Sequence, residues 1–385
     1  MLDVATLIGN REAFPVLDQW TFFNHAGVAP MPRIGTDQIR RYANQAQSNV
    51  YLGSNWYKDL ERLRSLCAKM IHAHRDEIAF VKNTSEGIAI VANGIDWQWG
   101  DVIVSTDVEY PANVYPWMDV VRSRGARFVQ VPEETMPDGS RQVTTEAILA
   151  AAAEPRCRMI ALSHVEYASG QRHDLVRIGR FCQERNIRFC VDAIQSIGVL
   201  PVDVEAMHID YLSADGHKWM LGPEGAGFFY CRRSRLEHTR PLTIGWMNVI
   251  NPQDYGNYDF TLKPDAGRFE CGSYNVVGLL GLLGSLALLY EVGVDVIYAR
   301  VQTLLDQLAH GVTRKGYRVV SPRGEGQRSG ILSFVSTAHP HDAIYGHLRN
   351  KRIEIAVREG RLRASPHFYN TDAQIAALVD ALPSH

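Results

Sequence analysis

The sequence predicts an α/β protein built on a mainly parallel sheet with helices on both faces. Strand-like and helix-like segments alternate from residue 78 to residue 213, the pattern that crossover units produce. Two residues suited to chemistry, Asp192 and Lys218, fall just beyond strand-like runs, where such sheets bind their ligands. At 385 residues the chain is long for one compact core, so a large domain with a smaller companion is expected.

Residues 20–23 form a short apolar strand that runs into Asn24-His25-Ala26-Gly27-Val28-Ala29-Pro30, a turn rich in Gly and Pro. Residues 39–49 and 57–73 read as helices, the second with Leu60, Leu63, Leu66, Cys67 and Met70 at helical spacing. Between them, 51–57 is an aromatic loop. Strands are predicted at 78–81, 102–105, 127–131, 159–163, 187–191 and 211–213, with helices after Ser85, Asn113 and Leu175. The most apolar stretch, 276–289, is interrupted by Gly278, Gly281, Gly284 and Ser285 and falls short of the ~18 apolar residues a membrane span needs. It reads as a buried helix. Another helix at 294–314 and strands at 317–320, 330–335 and 353–357 suit a smaller α+β C-terminal domain. The division expected is an N-terminal segment 1–20 packing with the small domain, a large domain 21–275 and a small domain 276–385.

Forty basic residues against forty-two acidic ones give a net charge of -2, which offers no nucleic acid an attractive surface. Six cysteines, Cys67, Cys157, Cys182, Cys190, Cys231 and Cys271, lack C-x-x-C pairs or metal-ligand spacing and read as buried reduced thiols. The first residues, Met1-Leu2-Asp3-Val4-Ala5-Thr6, lack a basic region and a long apolar core. A cytoplasmic protein with no metal, nucleic-acid or membrane partner is expected.

The chemistry centres on Ser213-Ala214-Asp215-Gly216-His217-Lys218-Trp219. A lysine just after a strand can form a Schiff base with an aldehyde cofactor, to be exchanged for the amine of a substrate. Upstream, a strand ends in Asp192, with Gln195 in local reach; an acid there suits a pyridinium nitrogen. Thr84 and Ser85 precede an apolar helical run, so they are either ordinary caps or, beside such a lysine, phosphate ligands at a helix N-terminus.

Val191-Asp192-Ala193-Ile194-Gln195, Gly216-His217-Lys218 and Gly222-Pro223-Glu224-Gly225-Ala226-Gly227, in that order, resemble the fold-type I enzymes that use pyridoxal 5'-phosphate, in particular the class V aminotransferase and cysteine desulfurase family. The resemblance extends from Asn24 to Tyr369. The wording Asp215-Gly216-His217-Lys218-Trp219 and Phe23-Asn24-His25-Ala26-Gly27 is most similar to the isopenicillin N epimerase-like branch. It implies a large domain with a seven-stranded type of sheet between helices, and a homodimer with composite active sites, to which the 51–57 loop and Ser273 contribute across the interface. It places Tyr110 over the cofactor ring, Asp192 on the ring nitrogen and Gln195 on the ring hydroxyl. Thr84, Ser85, Asp215, His217 and Ser273 face the phosphate, although the desulfurase pattern has Ser where this chain has Asp215. For the substrate it implies Arg363 as carboxylate clamp and Tyr167 and His25 as contacts; a surface arginine and a turn histidine are the plainer alternatives.

The function expected is that of a pyridoxal-phosphate enzyme acting on an amino acid or amine through Lys218, of class V aminotransferase type. C–S lyase and epimerase activities, and a catalytically silent relative, are the alternatives. A persulfide-forming desulfurase is disfavoured: the family carries its cysteine on a loop after the strand at 353–357, where this chain runs from Arg358 to Ser365 without one. Tyr110 also replaces the histidine that could trade protons there.

Overall fold

Runs rich in β-branched and apolar residues form one central sheet in the computed structural model, which describes residues 2–384. In chain order the first half comprises β1 (Thr21–Phe22), α1 (Arg33–Ser48), α2 (Trp56–Met70), β2 (Ile78–Val81), α3 (Thr84–Gly94), β3 (Val102–Thr106), α4 (Tyr115–Arg124), β4 (Arg127–Val131) and the small hairpin β5 (Glu134–Thr135) and β6 (Arg141–Gln142). Then follow α5 (Thr145–Ala152), β7 (Cys157–Ser163), α6 (Leu175–Glu184), β8 (Arg188–Asp192), β9 (Tyr211–Asp215) and β10 (Gly227–Cys231). The remainder is α7 (Val276–Val292), α8 (Val294–Arg314), β11 (Arg318–Val319), β12 (Leu332–Val335), α9 (His341–Asn350), β13 (Ile353–Glu354), β14 (Ala356–Arg358), β15 (Arg361–Ala364) and α10 (Asp372–Ala381).

Seven strands lie in the order β2-β10-β9-β8-β7-β3-β4. All neighbouring pairs from β9 to β4 are parallel, and β10 runs antiparallel between β2 and β9. The mainly parallel α/β architecture is therefore as the sequence predicts. Strands β2, β3, β8, β9 and β10 are buried along their whole length, as expected for a sheet covered on both faces. β10 is absent from the sequence reading, since Gly227-Phe228-Phe229-Tyr230-Cys231 follows a glycine-rich turn with no crossover helix to announce it.

A second sheet, β11-β12-β15-β14, is antiparallel and makes the smaller layer with α8, α9 and α10. Two local expectations need correction here. The predicted strand 353–357 divides: Ile353 and Glu354 pair in parallel with Thr21 and Phe22, while Ala356–Arg358 pairs with β15. Residues 21–22, assigned by sequence to the large domain, thus hydrogen-bond to the C-terminal sheet system. Similarly, α7 was expected at the start of the small domain, yet it packs on α1 and α2. Its glycines make that approach possible: a Cβ on Gly284 would sit 2.7 Å from the Ile34 carbonyl oxygen and 3.0 Å from Gly35 Cα. Among the described residues no single helix is long and apolar enough to cross a membrane.

Candidate active site

The carboxyl ends of β3, β7, β8 and β9 converge on a cavity of about 830 Å³ between the two sheets. Its residues come from loops held at these strand ends, where a parallel sheet leaves a crevice. Lys218 enters from the turn after β9. That turn is closed by bonds from Gly216 N to the Ala226 carbonyl (3.0 Å) and from Gly222 N to the Gly216 carbonyl (2.8 Å). A side chain at Gly216 would collide with the Ala226 oxygen, 2.5 Å from a Cβ, so the glycine allows β9 and the segment before β10 to meet. Burial lowers the Lys218 pKa to about 8, with Asp192 opposing the shift and Arg363 adding to it. Its Nζ stands 5.6 Å from the centre of the Tyr110 ring.

Asp192 ends β8 and is pushed up to about 6 by burial, an effect eased by the Ile194 N–H (3.0 Å) and by Lys218. Gln195 is tethered at both ends: its Oε1 accepts from Trp219 Nε1 at 2.9 Å and its Nε2 donates to the Ala26 carbonyl at 3.1 Å. One amide N–H remains for a ligand. The indole anchor beside the lysine is a feature the sequence reading missed.

At the start of α3, Asn83 caps the helix by accepting from Glu86 N at 2.9 Å. The cap leaves the N–H groups of Thr84 and Ser85 at a positive helix end on the cavity wall. The Thr84 hydroxyl accepts from Asp215 N at 3.1 Å. The Asp215 carboxylate accepts from Gly216 N at 2.7 Å and lies 2.9 Å from His217 Nδ1, a close contact not aligned as a hydrogen bond. The carboxylate is thus restrained by its own backbone and faced by an imidazole.

Behind Tyr110, the buried Glu109 accepts from Ser163 N and Ser163 Oγ, both at 2.6 Å, and Ser163 pairs in register with Asp192. Burial, with Glu166 nearby, pushes the Glu109 carboxyl well up. The Tyr110 ring meets that of Tyr167 edge-on at 5.3 Å. Glu109 carries no motif of its own, and only the fold reveals it as the strut holding this loop to β7.

The opposite wall belongs to the small domain. Arg363 is 1% exposed; its guanidinium donates to the Tyr167 carbonyl (2.7 Å) and to Asn24 Oδ1 (3.2 Å), while its Nε has no partner. No carboxylate pairs with it among the described residues. Burial and the nearby Arg358 lower its pKa to about 9. The Tyr167 hydroxyl donates to Glu359 at 3.0 Å.

Of the residues singled out by sequence, Thr84, Ser85, Tyr110, Tyr167, Asp192, Gln195, Asp215, His217, Lys218 and Arg363 all line this cavity. His25 does not. It is fully buried behind the wall, with Nδ1 donating to the Ser365 carbonyl (2.8 Å) and Nε2 accepting from the Tyr369 hydroxyl (2.6 Å). With both nitrogens engaged it is a structural histidine in this chain, and its neighbours Asn24, Ala26 and Gly27 form the wall instead. Ser273 is exposed and lies off the cavity.

The donor set fits pyridoxal phosphate: an amine of lowered pKa, a strand-end carboxylate, an aromatic face and a helix N-terminus for a dianion. The profile of the family Aminotransferase class-V matches residues 21–378. A probable cysteine desulfurase of Methanothermobacter thermautotrophicus is 30% identical over 399 residues, covering 97% of this chain and 96% of that protein. The uncharacterized aminotransferase YcbU of Bacillus subtilis is 26% identical, with 97% and 96% covered. Among solved structures, C-DES with glycine covalently linked to its pyridoxal-phosphate cofactor superposes with a TM-score of 0.88 at 25% identity, covering 96% of this chain and 98% of that one. Cysteine desulfurase from Thermococcus onnurineus superposes with 0.85, also at 25%, covering 96% and 95%. Fold, cavity and matched family agree, and the chain belongs to the class V aminotransferases, pyridoxal-phosphate enzymes of fold-type I.

Proposed function

We propose that this enzyme acts at the Cα of an amino acid as a class V aminotransferase-type catalyst, with Lys218 as its covalent anchor and proton carrier. The observation that carries the reading is a lysine of lowered pKa facing, across one cavity, a buried guanidinium with no carboxylate of its own. Pyridoxal phosphate supplies an aldehyde carbon and an electron sink for the bond broken at Cα. Asp192 supplies the negative charge that suits a protonated ring nitrogen, and Gln195 has one N–H free for the ring oxygen. Thr84, Ser85 and His217 offer donors to the phosphate. Arg363 suits the substrate carboxylate in a bidentate pair, which orients Cα towards Lys218. As a free amine with a pKa of about 8, Lys218 would be able to take a proton at Nζ near neutral pH and return it.

A desulfurase that takes the sulfur onto a cysteine of its own is disfavoured because none of the six cysteines lines the cavity, and β14 turns into β15 through Glu359 and Gly360 alone. A second reading, C–S lyase activity without a cysteine acceptor, draws support from the likeness to the cystine C-S lyase C-DES in complex with its product cysteine persulfide (TM-score 0.87, 25% identity, 95% and 98% covered). A homodimer fits the exposed aromatic residues Trp246, Tyr255, Tyr258 and Phe260, together with Tyr51, Leu52 and Tyr57. A cytoplasmic site of action agrees with six free cysteines.

The deciding experiment screens amino acids against the holoenzyme by cofactor absorption, then follows keto-acid formation and, with cysteine and a thiol reductant, sulfide release. Keto acid formed stoichiometrically with an aminated cofactor supports the transaminase. Sulfide release that depends on one of the six cysteines would overturn it in favour of a desulfurase.

A further inference from the structure

We propose that Arg358 is a second anion-binding residue that selects a substrate bearing a negative group on its side chain, such as an acidic amino acid. This rests on the amino-acid reading above and adds the substrate class. Arg358 and Arg363 both line the cavity. The register of the β14–β15 hairpin sets Arg358 opposite Arg361 and Ala356 opposite Arg363. Residues two apart on a strand share a face, so Arg358 and Arg363 are diagonal neighbours on one face, a spacing on the order of 7–8 Å, with Cβ atoms somewhat closer. The nearness of their charges is visible in Arg363, whose proton affinity Arg358 reduces.

Two guanidiniums on one wall repel; Arg358 is exposed at the outer end and Arg363 is buried, and the charge of Arg358 reaches Glu354 without forming an ion pair. No acid lies within ion-pair distance of Arg358 or Arg363 among the described residues. Arg358 spends one N–H on its own neighbour's carbonyl, Val357 O, at 2.8 Å. Glu354, the acid on this side of the cavity, is engaged by Arg349 at 3.4 Å and by the Tyr345 hydroxyl at 3.4 Å, and Glu359 accepts from Tyr167. The arrangement is completed when a ligand brings two anions. If Arg363 takes the α-carboxylate, Arg358, nearer the rim, meets the end of a side chain one or two methylenes long. A carboxylate or a sulfinate has the planar or forked oxygens that a guanidinium matches.

The test uses the holoenzyme and two readouts. In the first, cofactor absorption gives the Kd of aspartate against asparagine and of glutamate against glutamine. In the second, thermal unfolding is followed with succinate or glutarate against propionate or butyrate at matched ionic strength, which needs no chemistry at the cofactor. An acidic amino acid should bind roughly tenfold or more tightly than its amide, as a charge-assisted pair would give. The dicarboxylates should raise the melting temperature more than the monocarboxylates, and Arg358→Gln should bring both ratios close to one. Equal binding of acid and amide, or a preference that survives Arg358→Gln, overturns the assignment. The two readings fail separately. If dicarboxylates stabilise the protein but no amino acid shifts the spectrum, the subsite stands and the amino-acid reading fails; if neutral amino acids shift it best, the reverse holds.

Discussion

The two walls of the cavity are built on opposite rules. On the large-domain side the polar groups are tied down: Gln195 at both ends, Thr84 and Asp215 to each other through the backbone, Glu109 to Ser163 by two bonds of 2.6 Å. On the small-domain side Arg363 is as deeply buried but keeps an unpartnered Nε and no counter-charge, and Arg358 has no acid within ion-pair distance among the described residues. A wall whose groups are anchored by their own hydrogen bonds, with donors such as the second Gln195 N–H to spare, can hold a resident group in one pose. A wall that leaves charges open stores an attraction to be used by a ligand that comes and goes.

Substitutions on the two sides should therefore fail differently. The largest effect belongs to Lys218→Ala, which should cost ~10³-fold or more in turnover and remove the pyridoxyl group that borohydride otherwise fixes to this residue; mass spectrometry finding the label on another lysine would break the assignment. Asp192→Asn keeps an acceptor for the Ile194 N–H but removes the charge, so cofactor is retained while turnover falls by about 10²-fold or more. Normal turnover in that variant would show that the ring nitrogen is served by another group. Arg363→Met should weaken amino-acid binding by about 10- to 100-fold with little change in melting temperature, because the loss of its bonds to the Tyr167 carbonyl and Asn24 Oδ1 is offset by removing a buried cation that no acid compensates. A large loss of stability instead would mean that both walls are structural.

Trp219→Phe makes the converse test on the other wall. It leaves Gln195 Oε1 buried without its donor and should cost about 1–3 kcal/mol of stability, with the lysine still labelled. The mildest effect is one of pH. With an Nζ pKa of about 8 in place of the ordinary 10.5, the neutral amine becomes the major form above pH 8. Covalent capture of added pyridoxal phosphate by the cofactor-free protein should accelerate between pH 7 and 9 with a midpoint near 8; a midpoint above 10 would mean that Lys218 is not desolvated in solution.

How much of this could be read from the sequence follows the same division. The large-domain wall is legible because its chemistry is local: Asp192 and Gln195 are three residues apart, Asp215, His217 and Lys218 fall within four, and each group sits at the end of a run that reads as a strand. Glu109 and Trp219 escaped because a buried strut and an indole anchor have no pattern until the chain folds. The small-domain wall depends on distance. Arg363 is a site residue because its partners are Tyr167 and Asn24, 196 and 339 positions away. The family resemblance makes His25 a candidate contact because it brings this turn to the substrate side, yet the ring faces Ser365 and Tyr369 and its neighbours Asn24 and Ala26 line the cavity. The hairpin that pairs Arg358 with Arg361 lies in a stretch, 358–363, with arginine at three of six positions, where no apolar alternation marks a strand.

The seam between β1 and β13 also has a consequence for synthesis. His25 is bonded to Ser365, 340 residues later, and Asn24 forms a parallel bridge to the same serine. At about 5–20 residues per second, the ribosome delivers the second half of that seam on the order of 17–70 s after the first. Through that interval the segment around Phe22 and Phe23 has neither its strand partner nor its hydrogen bonds, although the central sheet can already assemble from residues 78–231. The nascent chain therefore acquires Lys218, Asp192 and the N-terminus of α3 well before the opposite wall of the cavity. Cofactor capture during translation is open to it, but the wall that carries Arg358 and Arg363 cannot be in place until the last arginines have left the exit tunnel.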